Sequence, residues 1–136
     1  MKEPSTMAPL TGTAVSGTIS LAEIPWPAPV AVPNAVEGTP MSRIVYLVDD
    51  TSRQAGIWSC STGAFESNHC GYVECVHIVD GAAELRGEDG TVWKVGPGTL
   101  LVIPDGWVGT WHVTKPITKS FAIFRAAPEA GPATSC

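Results

Sequence analysis

Glu74 and His69 stand five positions apart, in His69-Cys70-Gly71-Tyr72-Val73-Glu74, and hold the most concentrated chemistry of the chain. A carboxylate and an imidazole that meet can pass a proton, orient a substrate group or hold a metal ion. They are the candidate catalytic pair, and also the candidate metal ligands. The preceding Glu66, Ser67 and Asn68 offer only oxygen and amide donors. Ser67 is a poor ligand for a transition metal, and Glu66 or Asn68 would give a mixed site of low charge. Two firm protein ligands are one fewer than a catalytic metal usually needs, which favours no cofactor or a weakly bound divalent metal. Cys70 adjoins His69, and a thiol beside an imidazole can be activated. The plainer reading makes them two loop residues without a catalytic partnership.

The element that must aim Glu74 is the run Tyr72 to Val79. Strand alternation puts Glu74, Val76 and Ile78 on one face and Val73, Cys75, His77 and Val79 on the other. A carboxylate turned into a core is costly unless it binds a cation, pairs with a base or stays protonated. Desolvation there is expected to raise its pKa, which suits an acid or base working near neutral pH. His77, on the opposite face, is expected to serve packing or a subunit contact. Alternation does not decide whether Trp111 or His112 faces inward. Trp58, Trp107 and Trp111, with Phe65 and Tyr72, are the candidate walls of an apolar pocket for a flat or ring-shaped ligand. Packing in the core is the plainer role of any one of them.

Those residues sit among short apolar runs closed by turn residues: 44–48, 55–60, 72–79, 82–86, 92–95, 99–103, 108–113 and 120–124. Asp89-Gly90 reads as a hairpin tip, and no segment sustains a helical period. Many evenly spaced strands without helices mean an all-β sandwich or barrel. Ahead of them, Pro25, Pro27, Pro29 and Pro33 forbid a helix or central strand and leave an extended segment along the body, with Trp26 and Val30 as its anchors. The chain's 136 residues suffice for one domain with a core. A net charge of −5 excludes nucleic acid and anionic membrane as partners that need a basic face. No apolar run reaches membrane-span length and no signal-peptide core opens the chain, so the expected location is cytoplasmic. Cys60, Cys70, Cys75 and Cys136 are accordingly read as thiols, with Cys60 and Cys75 as small core hydrophobes.

Two motifs name a family. Glu74 is followed after six residues by Gly81, and Gly98 is followed after five by Pro104-Asp105-Gly106. Both resemble the paired signatures of the cupin superfamily. Gly56-Ile57-Trp58, Gly63-Ala64-Phe65 and the closing Gly106-Trp107 and Lys119-Ser120-Phe121 resemble the subgroup with the ureidoglycine aminohydrolase and ethanolamine-utilisation cupin domains. The resemblance implies a single jelly-roll β-barrel over 40–125, after a flexible proline-rich arm (1–39) and before a C-terminal tail (126–136). It implies a cavity for a small-molecule ligand and a homodimer, which would also cover open sheet edges. In the metal-binding members two histidines precede the glutamate and a third follows the last glycine by three residues. Here only His69 matches; Ser67 and Gly109 occupy the other two positions, leaving a degenerate metal site. The manganese ligand pattern of the ureidoglycine enzyme is also absent. Two functional readings follow. One is a small enzyme of lyase, isomerase or cyclase type, acting on a small polar or ring-shaped metabolite with Glu74 as acid or base. The other is a non-catalytic module that binds a metabolite or a partner protein.

Overall fold

The structure, a computed structural model, describes residues 18–125. The first 17 positions of the expected arm, the expected tail and Cys136 lie outside them. A single 3-10 turn, Leu21–Glu23, is the only helical element among the described residues. The strands are β1 (Val30–Ala31), β2 (Ala35–Glu37), β3 (Met41–Asp49), β4 (Arg53–Cys60), β5 (Gly63–Asn68), β6 (Tyr72–Gly87), β7 (Val92–Val95), β8 (Leu100–Ile103) and β9 (Val108–Arg125). The fold is an all-β jelly roll, as the motifs imply.

β6 and β9 are the spine, and their antiparallel pairing wraps the sheet around the core. The first half of β6 pairs with the second half of β9, where Glu74 faces Ile123 and Ile78 faces Lys119. The second half of β6 pairs with the first half of β9, where Leu85 faces Trp111. β4, β3 and β1 continue one wall beyond the end of β9, while β5 and β2 continue the other beyond its start. β7 and β8 flank the two halves of β6.

The corner in this spine falls at Gly81. Its φ is +85°, and a Cβ there would lie 2.1 Å from the Pro116 carbonyl oxygen, so a side chain would force the strands apart. Alternation alone splits each spine strand in two at this corner, giving 72–79 with 82–86 and 108–113 with 120–124. The structure shows one bent ladder instead. Asp80-Gly81 and Lys115-Pro116 turn the chain through irregular register without ending the pairing.

Burial alternates along both strands, with Glu74, Val76 and Ile78 inside and Cys75 and His77 outside. The inner faces pack Val76, Ile78, Leu85, Ile103, Trp111, Val113 and Ile117 into one core. Cys60 is buried as expected, but Cys75 lies exposed on the outer face and is not a core hydrophobe. Cys70 is disulfide-bonded, which overturns the thiol reading for that position. The Asp89-Gly90 tip closes as expected: Thr91 N donates to Asp89 Oδ1 and Gly90 N to the Gly87 carbonyl. The proline segment runs extended along the body, with β1 paired to β3 and β2 to β5. Trp26 lies 4.6 Å beneath the Arg43 guanidinium. Val30 is exposed, so that stretch is held by its backbone and not by the side chain.

Candidate functional site

Glu74 projects from β6 between the two walls and is 4% exposed. Period-two geometry places it there; two other side chains make the position tolerable. Its Oε1 lies 2.8 Å from His69 Nε2, and its Oε2 accepts a hydrogen bond from Lys119 Nζ at 2.7 Å. His69 follows β5 directly, and its backbone N donates to the Trp107 carbonyl at 2.8 Å. Its ring lies 4.7 Å from Tyr72 and 5.6 Å, edge-on, from Trp107. Lys119 comes from β9, with its ammonium 4.7 Å from the ring centres of both Trp58 and Trp111. A desolvated cation over two indole faces gains from the ring quadrupoles as well as from its carboxylate.

The electrostatics follow from these contacts. Burial pushes the Glu74 carboxyl up, but the Lys119 ammonium and the hydrogen bonds from His69 and Lys119 outweigh it and hold the group down to about 2. The rise expected from desolvation alone is therefore wrong in sign, because that expectation lacked the lysine. An ionised carboxylate only accepts hydrogen bonds, so His69 Nε2 carries the proton. In the neutral ring Nδ1 is then the basic nitrogen, and it faces Ser67 Oγ at 3.5 Å.

The cluster forms one end of a cavity of about 200 Å³. Trp58, Phe65, Tyr72 and Trp111 line it with Glu74, His69, Lys119 and Ser67, and Ile44, Tyr46, Phe121 and Ile123 complete the wall. Trp107, also an expected wall residue, is instead behind His69, stacked on Trp93 at 6.1 Å. Trp111, not His112, turns inward; His112 is half-buried on the other face with Nδ1 4.0 Å from Glu37 Oε1. Glu66 and Asn68 turn away from the cluster: Glu66 is exposed, and Asn68 Oδ1 accepts from the Cys70 backbone N.

The donor set does not fit a transition metal. Both Glu74 oxygens are already engaged, one of them by an ammonium that a cation would have to displace. Gly109, where the resemblance expects a third histidine, has no room for a side chain. A Cβ there would lie 2.4 Å from the Arg86 carbonyl oxygen and 2.6 Å from the Trp107 ring. Among the described residues no three His, Cys, Asp or Glu side chains are grouped to hold a metal ion. His69 and Glu74, the expected ligands, meet as an acid–base pair instead.

Lys119 is the member of this cluster that the motif spacing does not point to. Its signal was the alternation Ile117, Lys119, Phe121, Ile123, which puts a lysine on the inner face of an otherwise apolar strand.

A bent β6–β9 spine around a lined cavity, with Glu74 on its wall, defines a cupin. The chain belongs to the EutQ-like cupin domain family, whose model matches residues 47–121. It is similar in fold to the EutQ protein of Clostridium difficile, with TM-score 0.55 and 17% identity over 64% of this chain and 70% of that one. A DUF861-family protein of unknown function from Pseudomonas syringae pv. tomato gives TM-score 0.63 and 21% identity over 76% of this chain and 45% of that one. The Cnp3 cupin domain of Schizosaccharomyces pombe gives 0.57 and 12% over 65% and 67%. At these identities the likeness establishes the fold alone. Curated protein sequences give no match to the chain.

Proposed function

We propose that this cupin is a small-molecule enzyme of lyase, isomerase or cyclase type, acting on a small planar metabolite that bears a carbonyl or carboxylate oxygen. One observation carries the reading: Glu74 clamps a lysine and a histidine on the wall of an open-mouthed cavity lined in part by aromatic rings. Glu74 is not the acid or base itself. It is the fixed anion that orients His69 and holds the Lys119 side chain in place. Lys119 has three donor hydrogens and gives one to Glu74, so its remaining donors can meet a ligand oxygen and steady the negative charge that grows there. His69 Nδ1 takes and returns the proton. The rings of Trp58, Phe65 and Trp111 supply flat apolar contact for a planar ligand.

The test uses a panel of small keto acids, lactones and cyclic ureides. At least one should raise the melting temperature of the wild type and not of Lys119→Met, and proton NMR in deuterium oxide should show exchange of its carbonyl-adjacent hydrogens, lost in His69→Gln. A panel that neither stabilises nor exchanges would count against both parts. The satisfied Glu74 favours a second reading, a module that binds such a metabolite without turning it over; stabilisation without exchange would establish it. The expected homodimer remains part of the proposal. Leu100 is 75% exposed on β8 and Val102 55%, and β8 pairs only with β6, which leaves apolar side chains and an open strand edge for a second copy to cover.

A further inference from the structure

Ser67 occupies a position that the proton-transfer reading does not use. It lies in β5 two residues before His69, which follows the strand, and both side chains line the same cavity. Its hydroxyl is 3.5 Å from His69 Nδ1, and His69 Nε2 is 2.8 Å from Glu74 Oε1. Because Glu74 accepts from Nε2, Nδ1 of the neutral ring keeps its lone pair toward the hydroxyl. A hydroxyl, the free nitrogen of an imidazole and a buried carboxylate on the other nitrogen, in that order, make a nucleophile, its base and the group that orients the base. A contact of 3.5 Å is long for a finished hydrogen bond and falls within the looser range seen before a substrate is present. Ser67 also belongs to two recesses. It lines the aromatic cavity with Lys119, and it lines a second, polar recess of about 480 Å³ with Asn34, Glu66, Gly87 and Thr110.

We propose that Ser67 is a nucleophile and that the site hydrolyses small acyl esters. The acyl group is held in the aromatic cavity and the alcohol lies toward the polar recess. In the first step Ser67 Oγ bonds to the ester carbon, the carbonyl electron pair moves onto its oxygen, and the hydroxyl proton passes to His69 Nδ1. The Lys119 ammonium, in the same cavity, stabilises the negative charge that forms on that oxygen. The carbonyl then reforms, the bond to the alcohol oxygen breaks, and Nδ1 returns its proton to the departing alcohol. A water molecule repeats the sequence on the acyl-serine, giving a carboxylic acid and restoring Ser67. The sum is ester plus water to acid plus alcohol. This inference shares the His69–Glu74 pair with the proton-transfer reading, but it concerns a covalent bond to Ser67, which that reading does not require.

Two probes decide it: an alkyl fluorophosphonate, read by intact mass and peptide mapping, and 4-nitrophenyl acetate, read by release of nitrophenolate. The wild type should gain one phosphonyl group, mapped to Ser67, and hydrolyse the ester. Ser67→Ala should gain none and lose turnover at least 100-fold with its melting temperature kept. His69→Gln should slow labelling by a similar factor. Ser67→Cys supplies a check that needs no ester, since its thiol should be alkylated by iodoacetamide at least tenfold faster than when His69→Gln is added. Absence of an adduct on Ser67, or labelling and turnover unchanged in Ser67→Ala or His69→Gln, would overturn the proposal. Proton exchange into a panel ligand that survives Ser67→Ala would leave the proton-transfer reading standing on its own.

Discussion

Removing the Lys119 ammonium while keeping the bulk of its side chain should unbalance the site. In the wild type, Glu74 titrates at about 2 against an ordinary 4.5. A depressed carboxyl pKa contributes stability that is complete above the unfolded value near 4.5 and is lost as pH falls through the folded value near 2. The difference corresponds to about 3 kcal/mol at neutral pH. Lys119→Met leaves a 4%-exposed carboxylate with His69 alone, and breaking one side of a buried pair costs about 3–5 kcal/mol. For a domain of this size that is a fall in melting temperature of roughly 10–20 °C. The pH profile should change as well. Between pH 5 and 3 the wild type should lose stability, whereas the variant should lose little or gain, because its unpaired Glu74 prefers to be protonated. Adding Glu74→Gln to Lys119→Met should recover most of the loss at pH 7, as the lone charge is gone. Urea midpoints measured from pH 3 to 7 read all of this. A Lys119→Met cost below about 1 kcal/mol at pH 7, with an unchanged acid slope, would refute the reasoning.

Further outcomes follow from single contacts. Trp58→Leu should cost about 1–2 kcal/mol beyond lost packing through its contact with the Lys119 ammonium, and the excess should shrink when Lys119→Met is already present. Gly81→Ala should cost about 3 kcal/mol or prevent folding, as read by circular dichroism and soluble yield, because its Cβ meets the Pro116 carbonyl at 2.1 Å. Gly109→His should not create a tight metal site; elemental analysis should find no stoichiometric metal, and the variant should be destabilised by the clash with Arg86 and Trp107. Leu100→Asp should convert a dimer to a monomer by light scattering while leaving the melting temperature of the monomer unit within a few degrees.

How much of this was legible depended on the range of each interaction. Glu74 and His69 could be paired from sequence because they are five residues apart and bounded by recognisable glycines. The direction of Glu74 followed from alternation along one strand. Lys119 is 45 residues further on, and only the pairing of β6 with β9 brings it to Glu74. Without it, alternation along β6 leaves the carboxylate facing desolvation alone, which predicts a raised pKa, whereas the lysine lowers it. β5 was missed for a different reason. Ala64-Phe65 is followed by polar Glu66, Ser67 and Asn68, so the strand shows no sustained apolar alternation. That stretch nevertheless delivers Phe65, Ser67 and His69 to the cavity. Residue type alone suggests Trp107 for the wall, whereas the side-chain-free backbone at Gly109 lets its ring fill the space behind His69.

The site depends on Glu74 being an ionised anchor between an ammonium and an imidazole. Carbon-13 NMR of the Glu74 side-chain carboxyl, followed from pH 7 downward, reads that state directly. The resonance should stay in its ionised position until the pH approaches 2, and in Lys119→Met its titration should move up past the ordinary carboxylate range. A wild-type Glu74 that titrates at or above 4.5, unaffected by Lys119→Met, would contradict the account.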